Sequence, residues 1–182
     1  MTNNAVVIDK KEEKSSTEII TVEEYSDFEI LFLENNFIAF KEALAFKESQ
    51  GNYRAVNTLG YLGKYQFGIT TLDRFRIKNP DAFLKNPELQ ERAFSALCSV
   101  NKWILRKDIK RMVGKTINGI TITESGILAA AHLSGAGNVK KYLRTNGSNN
   151  LSDAYGSSIE CYLKKFADYN VSTVVANRKA RV

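Results

Sequence analysis

A chain of 182 residues is long enough for one domain with a full hydrophobic core, and its 43% hydrophobic and 25% charged residues are typical of a globular protein. No apolar run approaches the ~18 residues of a membrane-spanning helix, and one histidine and two cysteines exclude a multi-histidine metal site and a disulfide framework. Residues 1–34 contain three Lys/Arg and nine Asp/Glu (net −6), whereas residues 35–182 contain 23 and 11 (net +12). A basic domain of this kind suits an anionic polymer, although a charged surface that only confers solubility is equally consistent.

The N-terminal segment is predicted to be a flexible acidic leader over residues 1–33, because it is polar and lacks helical periodicity. Its first 16 residues contain no apolar stretch preceded by basic residues, so we expect no secretory signal peptide. The protein is therefore expected to be made in the cytoplasm and, if it acts elsewhere, to be delivered by a non-classical route.

The first predicted helix ends next to Glu48, which is a candidate catalytic acid. Apolar residues at positions 37, 38, 40 and 44 form a stripe at helical spacing over residues 34–47. Because each residue turns a helix by about 100°, Glu48 lies only ~40° from Leu44 and should stand at the end of the buried stripe. A carboxyl group beside apolar side chains loses hydration, which favours its neutral form and suits a general acid. The same spacing is also consistent with a solvated glutamate at a helix end.

The segment that follows, residues 49–68, is rich in Gly, Asn and Tyr and has no regular periodicity. Glycine allows the backbone to approach a ligand closely. Tyr, Asn and Gln supply the flat faces and hydrogen bonds that a sugar ring binds. One acid at the edge of such a lining indicates a carbohydrate-cleaving site.

The remaining elements are helices and one hairpin. We predict a short helix over 69–78, a helix capped by Asn86 with Pro87 at its first position, a hairpin over 116–122, a helix over 127–133 capped by Thr123, a short helix from 139 to 143, and a last helix over 157–169. The helix over 127–133 is apolar nearly all round and should be the buried central helix. The basic C-terminal tail, 171–182, is expected to be frayed, and Cys98 and Cys161 are expected to be buried free thiols.

Three blocks then occur in order: residues 48–53 (ESQGNY), 63–68 (GKYQFG) and 130–137 (AAHLSGAG). The first resembles the catalytic E-S-x-G-x-Y motif of the lysozyme-like superfamily, specifically of lytic transglycosylases and related phage-type muralytic domains. The second and third are similar to that family's G-x-Y-Q-F and A-H-L-x-G blocks. Their order and spacing match the family across about residues 36–170.

The resemblance implies a mainly α, α+β lysozyme-like domain over residues 34–170: a helical bundle around a buried central helix, with one small β-hairpin and a glycan groove. Glu48 would be the general acid, and the same residue would then act as base on the sugar 6-hydroxyl. The substrate-binding residues would be Ser49, Tyr65, Gln66, Phe67, His132 and Tyr162. No metal or cofactor is implied. His132 stands where many relatives carry Tyr, and a lone His on an apolar helix is equally consistent with a core residue.

The implied reaction is cleavage of the β-1,4 bond between N-acetylmuramic acid and N-acetylglucosamine in peptidoglycan. A hydrolase needs a second carboxylate at ~5–5.5 Å if retaining or ~6.5–9.5 Å if inverting, and Asp73 and Glu124 are the candidates near the blocks. The transglycosylase route needs one acid and is favoured.

Two other functions stay open at this point. One is a non-catalytic glycan-binding or structural component of a phage-like tail or injection machine. If the chain is instead an enzyme, a tail or injection machine of this kind could be the apparatus that delivers it. The other is a nucleic-acid-binding domain, but the basic residues are scattered and match no nucleic-acid motif. We therefore expect peptidoglycan strands, and no nucleic acid or membrane span, as partners of the folded domain.

Overall fold

The computed structural model describes residues 35–182, and the acidic leader predicted for residues 1–33 lies outside the described residues. This part of the chain is mainly α-helical with one small antiparallel sheet. The elements are α1 (Phe37–Ser49), α2 (Ile69–Arg74), α3 (Pro80–Leu84), α4 (Pro87–Met112), β1 (Thr116–Ile117), β2 (Ile120–Thr121), α5 (Glu124–Ser134), α6 (Ala136–Arg144) and α7 (Ile159–Lys165).

Local capping signals explain where several helices begin. The side chain of Asn86 accepts a hydrogen bond from the Leu89 amide, and Pro87 occupies the first helical position of α4. Thr123 caps α5 in the same way through the Gly126 amide. Both predicted start sites are confirmed. The Asn79-Pro80 pair begins α3 by the same chemistry, although no helix was predicted there.

The predicted hairpin is also confirmed. Thr116 pairs with Thr121 and Ile117 with Ile120, and the two residues between the strands are Asn118 and Gly119. Both turn residues have positive φ, 50° and 76°, which is the backbone that an Asn-Gly turn adopts most easily.

The core is built around α5. Its residues from Ser125 to Ala131 are all buried, and the helix packs against α4, α6 and α7. The predicted central helix is therefore confirmed. A Cβ on Gly126 would lie 2.7 Å from the carbonyl oxygen of Leu163. The close approach of α5 and α7 therefore requires glycine, which has no side chain, at this position.

Helix α1 is attached to this core by aromatic packing. The fully buried Phe40 ring lies 6.3 Å from Phe94 of α4 and 6.2 Å from Phe166, which follows α7. Burying a side chain of this size contributes roughly 1.5–3 kcal/mol. This contact orients α1, and with it the glutamate two turns further along.

Two expectations about the end of the chain are wrong. The segment after residue 170 is not frayed: Val171 and Val174 are buried, and the Asn177 amide donates to the Ser99 carbonyl at 3.0 Å. Apolar burial and a backbone hydrogen bond therefore hold it against α4. Cys98 is buried as expected, but Cys161 is exposed because only one face of the short helix α7 packs on the core.

None of the helices within residues 35–182 is both long enough and apolar enough to cross a membrane.

Candidate functional site around Glu48

Glu48 is the penultimate residue of α1, and its carboxylate meets a tyrosine from the other end of the chain. Tyr162 of α7 is buried and donates its hydroxyl hydrogen to Glu48 Oε1 at 2.6 Å. Burial raises the pKa of the Tyr162 phenol, and the negative charge of Glu48 raises it further. The phenol is thus held protonated and serves as a hydrogen donor that fixes one carboxylate oxygen.

His132 lies on α5 beside the same carboxylate. Its Nε2 is 2.8 Å from the carbonyl oxygen of Tyr65, which can only accept, so Nε2 carries the hydrogen. Burial lowers the pKa of His132, although the nearby charge of Glu48 and the bond to Tyr65 act in the opposite direction. The imidazole is therefore neutral, and its buried Nδ1 has no hydrogen-bond partner within residues 35–182.

A pocket of about 340 Å³ opens in front of these residues. Glu48 and His132 form part of its wall, and the other lining side chains mix apolar, aromatic and amide groups. They include Asn57, Leu59, Tyr61, Gln66, Leu133, Asn138, Leu151, Asp153 and Tyr155.

A second concavity of about 430 Å³ also includes Glu48. Besides Glu48, its wall contains residues at the end of α1 and one residue of α7. These are Phe46, Lys47, Ser49 and Gln50 from the first segment and Lys165 from α7. Glu48 therefore lies where two neighbouring concavities meet, which is the position a group needs if it acts on a bond within a polymer.

Three of the predicted site residues line the 340 Å³ pocket, namely Glu48, Gln66 and His132. Ser49 lines the second concavity, but its hydroxyl donates to the carbonyl oxygen of Lys64 at 2.8 Å. Tyr162 contacts Glu48 from the buried side and lines neither concavity.

Tyr65 and Phe67 are buried, 0% and 1% exposed, and the expectation that they line a groove is corrected. The reason is a tight turn in which Leu62 and Phe67 exchange backbone hydrogen bonds of 3.0 and 2.7 Å, turning the aromatic side chains inward. The Tyr65 ring then stacks on Phe94 with centroids 4.1 Å apart. Aromatic residues next to an amide in a motif do not by themselves reveal which of them face solvent.

The turn is attached to α4 by Gln90, a residue that was not predicted to belong to the site. Gln90 is fully buried: its Oε1 accepts from the Lys64 amide at 2.8 Å, and its Nε2 donates to the carbonyls of Tyr53 and Phe83. A Cβ on Gly63 would lie 2.2 Å from Gln90 Oε1, so only glycine allows this approach. The sequence did contain a signal for this role, because Gln90 is a polar residue on the otherwise apolar face of α4.

A charged cluster beneath the turn was also missed. Lys64 is only 4% exposed and donates to Glu42 at 2.6 Å and to Glu91 at 2.9 Å. Partial burial acts to raise the pKa of Glu91, but hydrogen bonds from Lys41, Lys64 and Tyr65 outweigh it and lower the pKa to about 2. This cluster joins α1, the turn and α4, and thereby supports the segment next to Glu48.

Neither candidate second carboxylate reaches the pocket. Asp73 forms an ion pair with Lys78 at 2.7 Å, and Glu124 forms one with Lys102 at 2.7 Å. Asp153 instead lines the pocket with Glu48, although its Oδ1 accepts the amide hydrogens of Tyr155 and Ser157 and so stabilises its own loop. No spacing rule in the sequence pointed to Asp153.

Comparisons with known protein families, with curated proteins and with solved structures find no match to this chain. Within residues 35–182, no three His, Cys, Asp or Glu side chains come together in a way that could hold a metal ion. The site offers the Glu48 carboxylate oriented by Tyr162, the Asp153 carboxylate, one neutral imidazole and a lining of amide and aromatic side chains.

Proposed function

We propose that this chain is a peptidoglycan-cleaving enzyme with a lysozyme-like fold, which acts on the β-1,4 bond between N-acetylmuramic acid and N-acetylglucosamine with Glu48 as general acid. The observation that carries the proposal is the placement of the Glu48 carboxylate, held by Tyr162 at 2.6 Å, where two concavities meet. The three sequence blocks that resemble lytic transglycosylases provide independent support.

The geometry suits proton transfer from one carboxylate. Glu48 Oε1 accepts the Tyr162 hydroxyl, whereas Oε2 takes part in no hydrogen bond within the described part of the chain and is available to the glycosidic oxygen. His132 is neutral and adds no positive charge that would stabilise the ionised carboxylate. A group positioned in this way contributes about 10²–10⁴-fold to the rate of such a reaction.

We favour the transglycosylase route. Glu48 protonates the glycosidic oxygen as the bond from C1 of muramic acid breaks. The carboxylate then takes the proton of the 6-hydroxyl, whose oxygen bonds to C1. The products are a free 4-hydroxyl and a 1,6-anhydro ring, and no water is consumed. One carboxylate performs both proton transfers, which agrees with the absence of Asp73 and Glu124 from the pocket lining.

Charge in the second concavity supports peptidoglycan over a neutral glycan. Lys47 and Lys165 line it together with Glu48, and both are exposed. Peptidoglycan carries carboxylates on its stem peptides, and an exposed ammonium group attracts them. The mixed aromatic and amide lining of the 340 Å³ pocket suits the neutral faces and acetamido groups of the sugars.

Asp153 provides the specific reason to keep a hydrolase as the second candidate. It lines the same pocket as Glu48, and its Oδ2 forms no hydrogen bond to any residue within 35–182. In that reaction Asp153 would orient a water molecule for attack on C1, as the base of an inverting glycosidase does.

The deciding experiment is digestion of purified peptidoglycan by the wild type, by Glu48→Gln and by Glu88→Gln, with mass spectrometry of the products. Glu88 is a matched control because its side chain is 87% exposed on α4. We expect 1,6-anhydromuramic ends from the wild type and the control, and none from Glu48→Gln.

Reducing muramic ends would instead establish the hydrolase, and Asp153→Asn should then abolish them. If no soluble product forms from the wild type across pH and several cell walls, the enzyme proposal fails and a glycan-binding component becomes the better explanation. Retained activity in a folded Glu48→Gln protein would remove Glu48 from the mechanism.

A further inference from the structure

A strongly basic groove of about 680 Å³ lies between the end of α2 and the C-terminal segment. It shares no lining residue with either concavity beside Glu48. Five exposed cations contribute to its wall: Arg74, Arg76, Arg178, Lys179 and Arg181. The groove is thus a separate feature that the proposed reaction does not use.

These cations are not balanced by acidic side chains. Within residues 35–182, none of the five lies within 4.0 Å of a carboxylate. Asp73 is adjacent to the groove in sequence, but its carboxylate pairs with Lys78 at 2.7 Å. Like charges gathered in one concavity repel each other, and a bound anion relieves that repulsion. By contrast, the cations beneath the turn, Lys41 and Lys64, both have acidic partners.

The groove is held in place by the fold. Val174 is buried and the Asn177 amide bonds to Ser99, which fixes the C-terminal segment on α4. The Arg178 guanidinium lies over the Trp103 ring, 5.2 Å from its centroid. An anion would therefore meet cations whose backbone positions are already set, which lowers the entropic cost of binding.

Arg76 provides an independent indication. Its φ of 61° lies in the left-handed region, where glycine is more stable than a residue with a side chain. Local backbone preference therefore does not account for an arginine at this position. Arg76 nevertheless lines the groove.

We infer that this groove binds a linear polymer of phosphodiester-linked polyols. Arginine forms paired hydrogen bonds with phosphate, and four of the five cations are arginines. The groove is too large, and its cations too many, for one phosphate group. Single-stranded bases need an open aromatic face for stacking, but Phe75 is the one aromatic residue among those that line the groove, and it is half-buried. Phosphate and hydroxyl groups, without bases, fit this lining best.

The test is a binding titration of the full chain with poly(glycerol phosphate) of defined length, over a range of salt concentrations. The groove variant carries Arg74→Ser, Arg76→Gly and Arg181→Ser. Arg178 is kept because its guanidinium lies over the Trp103 ring. The control variant carries Lys107→Ser, Lys110→Ser and Lys115→Ser, which removes three exposed cations outside the groove. A single-stranded oligonucleotide with the same number of phosphates is the second probe.

We expect the groove variant to bind poly(glycerol phosphate) at least tenfold more weakly at low salt. Because three phosphate contacts are lost at ~0.7 each, the slope of log K against log salt should become about two units shallower. The control variant should bind almost as the wild type does. Because Arg76→Gly removes an unfavourable backbone conformation, the melting temperature of the groove variant should not fall, which separates lost binding from lost folding.

Equal losses in the groove and control variants would overturn the inference, because net charge alone would then explain binding. Tighter, groove-dependent binding of the oligonucleotide would overturn it in favour of a nucleic-acid site. Neither result depends on cleavage by Glu48, so failure here and failure of the proposed function can be told apart.

Discussion

Replacement of Glu91 by Gln removes the negative charge beneath the turn that precedes α2. The carboxylate accepts hydrogen bonds of 2.6 Å from Lys41 and 2.9 Å from Lys64, and the hydroxyls of Tyr53 and Tyr65 also donate to it at 2.9 Å. Glutamine keeps the size of the side chain but offers one oxygen and no charge. The change therefore tests the electrostatic contribution of the cluster with little change in packing.

The lowered pKa of Glu91 determines how large a loss of unfolding free energy to expect. The pKa of Glu91 falls from 4.5 to about 2 in the folded protein, and each unit corresponds to ~1.4 kcal/mol. The side chain is 25% exposed, so solvent screening reduces the full value. We expect Glu91→Gln to lower the free energy of unfolding by about 2–3 kcal/mol at pH 7. Loss of a partner for the buried Lys64 ammonium acts in the same direction.

The measurement is urea unfolding of the wild type, Glu91→Gln and the control Glu88→Gln, whose side chain is 87% exposed. A lowered carboxyl pKa stabilises the fold above pH 4.5, and that contribution is lost as the pH falls through about 2. More than half of the difference between the wild type and Glu91→Gln should therefore disappear between pH 7 and pH 3. His132 is present in both proteins, so its own titration cancels. An effect no larger than that of Glu88→Gln at pH 7, or one independent of pH, would refute the electrostatic explanation.

Two further predictions concern the site and the cysteines. Tyr162→Phe keeps the ring but removes the 2.6 Å hydrogen bond that orients the Glu48 carboxylate, so we expect about a tenfold or greater loss of kcat with KM little changed. Wild-type kcat in a folded Tyr162→Phe protein would show that the phenol only fills space. In the folded protein iodoacetamide should alkylate the exposed Cys161 and not Cys98, whose thiol pKa burial raises to about 12, and peptide mass spectrometry showing equal labelling of both would contradict the described packing of α4.

Local patterns allowed several elements to be predicted from the sequence. Asn86 with Pro87, Thr123, and the Asn118-Gly119 pair act through hydrogen bonds and backbone preferences within a few residues, so they are visible without the fold. The apolar run of α5 predicted its burial for a similar reason, because a helix that is apolar on all sides has no face suited to water. Asn79-Pro80 carried the same information and was overlooked.

Most of the candidate site depended on contacts that no local pattern contains. Tyr162 and Glu48 are separated by 114 positions, and Glu91 lies far along the chain from both lysines that it binds. The direction of the aromatic side chains at Tyr65 and Phe67 was wrong, since the fold of the turn and its packing on α4 decide which residues face inward.

The sequence by itself determined a mainly helical chain, the start of its capped helices, the buried central helix and the position of Glu48 at the end of an apolar stripe. Capping, turn chemistry and helical periodicity suffice for these features because they act over a few residues. Only the tertiary structure decided that Tyr162 holds Glu48, that Asp153 rather than Asp73 lines the pocket, and that the C-terminal cations form a groove with the end of α2. Those relations depend on how distant segments pack, which is set by the burial of the shared core.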